Sequence, residues 1–316
     1  MTKSFMMGIA LLFSANSFAA VRARETIKIS RAPITVAVID TGADVHHRAL
    51  KNAIWTNPGE SGLDQFGRSK ENNNIDDDGN GFVDDIHGWN FVDNNNDLQD
   101  QMGHGTHISG IISSESRRSS SSVKLMVLRY YKNDASDSEN IENTVKAINY
   151  AVTMGAKIIN YSGGGSLPNK AERTAIEKAN SLGVIFVAAA GNNSKNTDIM
   201  NYYPANYGIS NIISVAAADD KGDLTGFSNY GEKTVDIAAP GKHIFSTLPD
   251  NTYGFMSGTS QATAFVTGVI AQILSEKSKM ATPDEALKII LSSGRYKQSL
   301  FKRTKFNVAL LSNSTK

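Results

Sequence analysis

Short, nearly uninterrupted apolar runs set the strongest limit on how this chain folds. Residues 34–39 (ITVAVI), 123–128 (VKLMVL) and 184–190 (VIFVAAA) each have the length of a strand. A strand apolar at consecutive positions shows apolar side chains on both faces of its sheet, so both faces must be covered. Residues 157–161 read as a further strand, and longer stretches of helical period lie at about 138–154 and 169–182. This alternation predicts an α/β fold, a mostly parallel central sheet with helices on both faces. Near the end, Thr282-Pro-Asp-Glu285 has the form of a capping box with Pro at the first helical position, opening a helix over 286–291. No internal repeat or linker divides the chain.

Two segments depart from that pattern and are expected to be loops outside the core. Residues 71–97 carry eight acidic side chains and no Lys or Arg, and residues 113–122 are Ser-rich around Arg117-Arg118. The start of the chain reads as an address. Lys3, the apolar run 5–13 and the small residues around Ser17-Phe-Ala19 make residues 1–19 a signal peptide, with a mature chain from Ala20. The run is too short to span a bilayer. A secreted or periplasmic protein follows, with 20–316 as one domain holding 71–97 as an Asn/Asp-rich insertion.

Net charge narrows the partners. With 32 Lys and Arg against 31 Asp and Glu, the chain is too balanced to grip nucleic acid through many phosphate contacts. The absence of cysteine removes disulfides, thiolate metal sites and a cysteine nucleophile.

Functional groups in open parallel sheets gather at the carboxyl ends of strands. Asp40 stands at such an end, in Asp40-Thr-Gly-Ala-Asp44. Gly103-His-Gly-Thr-His107 opens a helical run over 108–113; its two histidines fall short of a metalloprotease signature because no Glu accompanies them. Ser257-Gly-Thr-Ser-Gln261 leads into a helical run over 262–274, and Ala188-Ala-Ala-Gly-Asn192 ends a buried strand. A serine at a helix start is most often a cap, but it also meets free amides and a positive dipole end suited to developing anionic charge.

The order Asp, His, Ser at 40, 104 and 260 is that of one of the three known catalytic triad arrangements. With these motifs the sequence resembles the subtilisin-like serine peptidases, from about Ile34 to the C-terminal helices. Tyr203-Pro204, Phe227-Ser-Asn-Tyr-Gly231, Ala239-Pro-Gly241 and Ser246-Thr-Leu-Pro249 add to the likeness. The resemblance implies a three-layer subtilisin-like fold and a serine endopeptidase acting on proteins or peptides. It implies that Asp40 orients His104, that His104 deprotonates Ser260, and that Asn192 stabilises the oxyanion with the Ser260 amide. Ser162, Gly163 and Gly164 would form an edge that binds substrate as an added strand. Also implied are a cis bond at Tyr203–Pro204, broad cleavage after large apolar residues, and a base of the first pocket drawn from 193–202, where Lys195 and Asp198 stand out. A monomer is expected.

Departures from the family pattern follow the nucleophile, where this chain has Gln261, Thr263 and Ala264. Ala49 stands where many of these enzymes carry a calcium-binding Asp, which argues against one familiar calcium site. Only residues 20–39 separate the signal cleavage from Asp40, too few for a folding propeptide, so the chain is expected to fold unaided.

The acidic segment carries its own reading. Asp76, Asp78 and Asn80 alternate, Gly81 follows, and Phe82 offers a backbone carbonyl before Asp85, much as in the first half of an EF-hand loop. Oxygen donors without nitrogen or sulfur favour Ca²⁺. Ile75, Phe82, Val83, Ile86, Trp89 and Phe91 suggest that the segment docks on the domain. The competing function is a calcium-dependent peptide-binding or adhesion protein on a catalytically silent fold of the same family; an intact set of triad residues weighs against it.

Overall fold

The computed structural model describes residues 33–116, 123–277 and 280–311. The proposed signal peptide and Arg117-Arg118 lie outside the described residues. Eleven strands and five α-helices are present among those described. The strands are β1 (Ile34–Asp40), β2 (Gly88–Asn90), β3 (Val123–Arg129), β4 (Ile158–Tyr161), β5 (Ile185–Ala189), β6 (Ile212–Ala218), β7 (Ile237–Pro240), β8 (Ile244–Leu248), β9 (Thr252–Met256), β10 (Arg295–Tyr296) and β11 (Val308–Ala309). The helices are α1 (His104–Ser116), α2 (Asp137–Thr153), α3 (Lys170–Ser181), α4 (Thr259–Glu276) and α5 (Pro283–Ser293).

Nine strands form one sheet in the order β10-β11-β7-β6-β5-β4-β1-β3-β2, parallel except at β10; β8 and β9 make a separate antiparallel hairpin. The apolar runs explain the layering. Along β1, Val36 and Val38 enter the core shared with α1, α4 and α5, while Ala37 and Ile39 enter the core shared with α2 and α3. Burying each such Val or Ile is worth about 1.5–3 kcal/mol. The result is a three-layer α/β fold, as the apolar runs require.

Helix boundaries follow their caps. Ser136 and Thr282 each close a capping box with Glu139 and Glu285, and Asn169 accepts from the first-turn amides of α3. None of the described helices is long and apolar enough to cross a membrane.

Two loop assignments need correction. Segment 71–97 supplies β2 at the sheet edge, and its Trp89 and Phe91 are buried in the core. Phe82 packs edge-on against Trp89, Phe91 and Tyr150, whereas Ile75 and Val83 stay exposed. Ser113 to Ser116 belong to α1 and not to a loop, with Ser113 and Ser116 buried on it. The Ala-rich strands β6 and β7 extend the sheet beyond the runs that the sequence marks as strands.

Candidate active site

Sheet order brings the proposed residues together. The adjacent strands β5, β4 and β1 deliver Asn192, Ser162 and Asp40 to one carboxyl edge. Helices α1 and α4 pack side by side beneath it, with Gly268 against the backbone of Ile112, and their N-termini carry His104 and Ser260.

Asp40 is buried and its Oδ1 accepts from the Thr41 amide at 2.8 Å and from His104 Nδ1 at 2.7 Å. The approach is close enough that position 105 must be glycine. A Cβ there would lie 2.0 Å from the Gly42 carbonyl oxygen and 3.1 Å from Asp40 Cβ. Burial works against the His104 imidazolium, but the charge and hydrogen bond of Asp40, helped by Asp100, outweigh it and raise its pKa above the ordinary value. The Asp40 bond fixes the proton on Nδ1 and leaves Nε2 as the basic nitrogen.

Ser260 Oγ donates to the Ser162 carbonyl at 3.0 Å, and Ser162 Oγ donates back to the Ser260 carbonyl at 3.3 Å. Asn192 is oriented from behind. Its Oδ1 accepts from the Thr259 amide at 2.8 Å and the Thr259 hydroxyl at 3.0 Å, while Thr259 Oγ1 accepts from the Gly191 amide at 3.2 Å. A backbone amide only donates, so the Asn192 oxygen must face it and Nδ2 turns away.

Sequence reasoning missed several supporting residues. Asp100 is the hub between the Asp40 turn and α1. One of its oxygens accepts from Thr41 Oγ1, Met102 N and Gly103 N, the other from Thr106 N and Oγ1, all at 2.7–3.0 Å. Its negative charge also suits the positive end of α1. Five residues before Gly105, in a Gln-Asp-Gln stretch, it carries no signal distinguishing it from any loop aspartate. His107 is not a ligand; Nε2 donates to the carbonyls of Ile244 and Gly254 and ties α1 to the β8–β9 hairpin. Thr263 Oγ1 donates to the Thr259 carbonyl, so the departure after the nucleophile is absorbed inside α4.

A cleft of about 280 Å³ runs past His104 and is lined by Met102, Tyr130, Tyr131, Ser162, Gly163, Gly164 and Tyr202. The Tyr203–Pro204 bond is cis, as expected. Of the two charged residues in 193–202, Lys195 is exposed, and Asp198 turns away to accept from Lys233 N and Thr234 Oγ1.

In the acidic segment the structure brings Asp78 and Asp85 together and adds Glu60, with carboxylate oxygens of all three within 4.8 Å of one another. Asn57 and Asn80 each donate to both Asp78 and Asp85, and the Tyr150 hydroxyl donates to Asp85. Glu60 Oε1 accepts from the amides of Asp77 and Asp78, but its buried Oε2 has no partner. Burial, with repulsion from the neighbouring carboxylates, raises the pKa of both Glu60 and Asp85. Asp76 accepts from Asn80 N and Gly81 N, and the Phe82 ring packs edge-on against Tyr150. An all-oxygen set around an orphaned carboxylate oxygen fits a hard cation.

Comparison with known proteins adds the following. The family model described as the subtilase family matches residues 32–308. Thermitase of Thermoactinomyces vulgaris is 39% identical over 195 residues, covering 60% of this chain and 68% of that protein. A thermophilic serine proteinase of Bacillus sp. (strain AK1) is 34% identical over 247 residues, covering 76% of this chain and about half, 52%, of that one. The crystal structure of a cold-adapted subtilisin-like serine proteinase superposes with a TM-score of 0.67 at 27% identity, covering 88% of each chain.

Proposed function

The chain belongs to the subtilase family of serine endopeptidases, and from that premise we propose that Ser260 is its nucleophile, His104 its general base and Asp40 the orienting acid. In the resting arrangement the Ser260 hydroxyl rests on the Ser162 carbonyl. Turned to His104 Nε2, it gives up its proton as it attacks the scissile carbonyl, and the imidazolium so formed is held by Asp40. Negative charge on the carbonyl oxygen is met by Asn192 Nδ2 and the Ser260 amide at the positive end of α4. His104 then protonates the leaving amine, and water repeats the sequence on the acyl-enzyme. The observation that carries this reading is the 2.7 Å His104–Asp40 bond at the carboxyl edge of the sheet, where the neighbouring strand end at Ser162 also holds the Ser260 hydroxyl. Ser162, Gly163 and Gly164 lie along the cleft as the edge for an extended peptide.

Residues 1–19 direct export in this reading, to the periplasm or the medium, and 20–316 act as one peptidase domain, as a monomer. A fluorophosphonate probe is expected to label Ser260, with label and casein hydrolysis both lost in Ser260→Ala, about a million-fold in turnover. Hydrolysis surviving in protein free of host peptidases sinks the assignment.

We further propose that the acidic segment holds a structural Ca²⁺ through Asp78, Asp85 and Glu60. Asn80 and Asp76 shape the turn around it. The support is that Glu60, whose buried Oε2 has no partner, brings a carboxylate oxygen within 4.8 Å of two other carboxylates. The ion supplies positive charge there and takes no part in hydrolysis.

A further inference from the structure

The gap into which a substrate's acyl-side residue must point is already occupied. Because Ser260 Oγ lies 3.0 Å from the Ser162 carbonyl and Asn192 flanks it, an attacked carbonyl sits between the 162–164 edge and the strand end at Gly191-Asn192. The side chain on that carbonyl's own residue then projects between Gly164 and Gly191. The ring of Tyr202 is there. A Cβ added at Gly164 would lie 2.6 Å from Tyr202 Cε1, and one added at Gly191 would lie 3.1 Å from Cδ2 and Cε2 on the ring's opposite edge. Both backbone walls therefore already touch the ring, and a second ring needs roughly 3.5 Å of clearance on each side.

Nor does Tyr202 sit on a free loop. Its neighbour Tyr203 exchanges two backbone hydrogen bonds with Gly165, 2.7 and 2.9 Å, which fasten this segment to the substrate edge. Its own carbonyl accepts from Asn206 N at 3.0 Å. Of the two charged residues that might have set specificity, Lys195 is exposed and Asp198 is engaged by Lys233 N and Thr234 Oγ1.

We propose that Tyr202 fills the primary specificity pocket, so that this peptidase cleaves after small residues (Gly, Ala, Ser) and rejects the large apolar ones expected from its family. The inference rests on the assignment of Ser260 and Asn192 above. It makes Tyr202 a specificity-determining residue through shape: the phenol ring stands where a substrate ring would go.

The test compares kcat/KM for two peptidyl p-nitroanilides that differ only in Ala or Phe before the anilide, with each enzyme's active sites first titrated by a fluorophosphonate. Wild type is expected to favour Ala by about 10-fold or more, and Tyr202→Gly to reverse the preference. Tyr202→Ala serves as a second cavity variant should the glycine weaken the fold, and Tyr202→Phe should behave as wild type because the hydroxyl is not used. Full labelling with Phe preferred by wild type would mean that the ring swings aside, and would overturn the inference alone. An unchanged ratio in both cavity variants overturns it as well. Failure of wild type to label at all would overturn the nucleophile assignment and this inference with it.

Discussion

Two groups of carboxylates lie on this fold, one wholly buried and one reaching the surface at Asp78, and they are built in opposite ways. Around the active site, the buried aspartates Asp40 and Asp100 are surrounded by donors: amides of Thr41, Met102, Gly103 and Thr106, two threonine hydroxyls and one imidazole. In the acidic segment Glu60, Asp78 and Asp85 face one another, and one Glu60 oxygen faces no donor at all. A buried charge is tolerable when its lone pairs are answered and costly when they are not. The first group is complete as protein and holds a geometry. The second leaves Glu60 Oε2 unanswered, so a cation is what would complete it. One is therefore expected to govern turnover, the other persistence of the fold.

The hardest test of that division is Asp40→Asn. The amide still accepts from Thr41, so the fold and its melting midpoint should hold. The same oxygen can still accept from His104 Nδ1, but the negative charge that holds the imidazolium is gone, and kcat should fall by about 10,000-fold. The residual activity should also move in pH. The base works only when neutral, so a raised His104 pKa places the acid limb above the ordinary 6.5. With the Asp40 charge gone, burial is left to lower that pKa, and the limb should shift to lower pH. A melting midpoint that drops along with activity would merge the two groups' roles.

Asn192→Ala sharpens the same side with a smaller effect. Removing one donor to developing charge should lower kcat about 100- to 1000-fold with KM little changed. A rise in KM of that size with kcat kept would show Asn192 to be a substrate contact instead.

The smallest effect belongs to the acidic group. In Ser260→Ala protein, which cannot digest itself, calcium at about 100 times its Kd should add about 2.7 kcal/mol, a rise of several degrees in midpoint over chelator. Asp78→Ala should abolish the difference. Equal midpoints in calcium and chelator for the parent protein would remove the ion from this account.

Much of the fold is legible in the amino-acid sequence. The runs at 34–39, 123–128, 157–161 and 184–190 announce themselves because burial on both faces leaves them almost no polar positions, and Thr282 marks a helix start by local chemistry. The turns of the proposed triad are legible for a similar reason, since each packs its chemistry into five or six consecutive residues. What a linear reading misses is long-range. Glu60 meets Asp78 and Asp85 across the turn at Asn57, Asp100 reaches back 59 residues to Thr41, and Thr259 reaches 67 to Asn192. Tyr202 looks like any aromatic close to a Pro until Gly164 and Gly191 are seen on its two sides. Strand β2 is hidden by its setting, as three residues among Asn and Asp carry no strand pattern.

The order of strands in the sheet has a bearing on when the enzyme becomes dangerous to its maker. Strand β1, which ends in Asp40, pairs Ile34 with Val123, 89 positions on, and Val36 with Ile158, 122 positions on. Such non-local pairing is slow, because the entropy of closing long loops comes before any contact rewards it. Ser260 arrives later still, on a helix that packs against those same strands. A nascent chain that has left the ribosome only as far as His104 has neither β3 nor β4 to pair with β1, and Ser260, the proposed nucleophile, is still to come. The topology itself thus delays proteolysis until well after β1 and α1 have emerged.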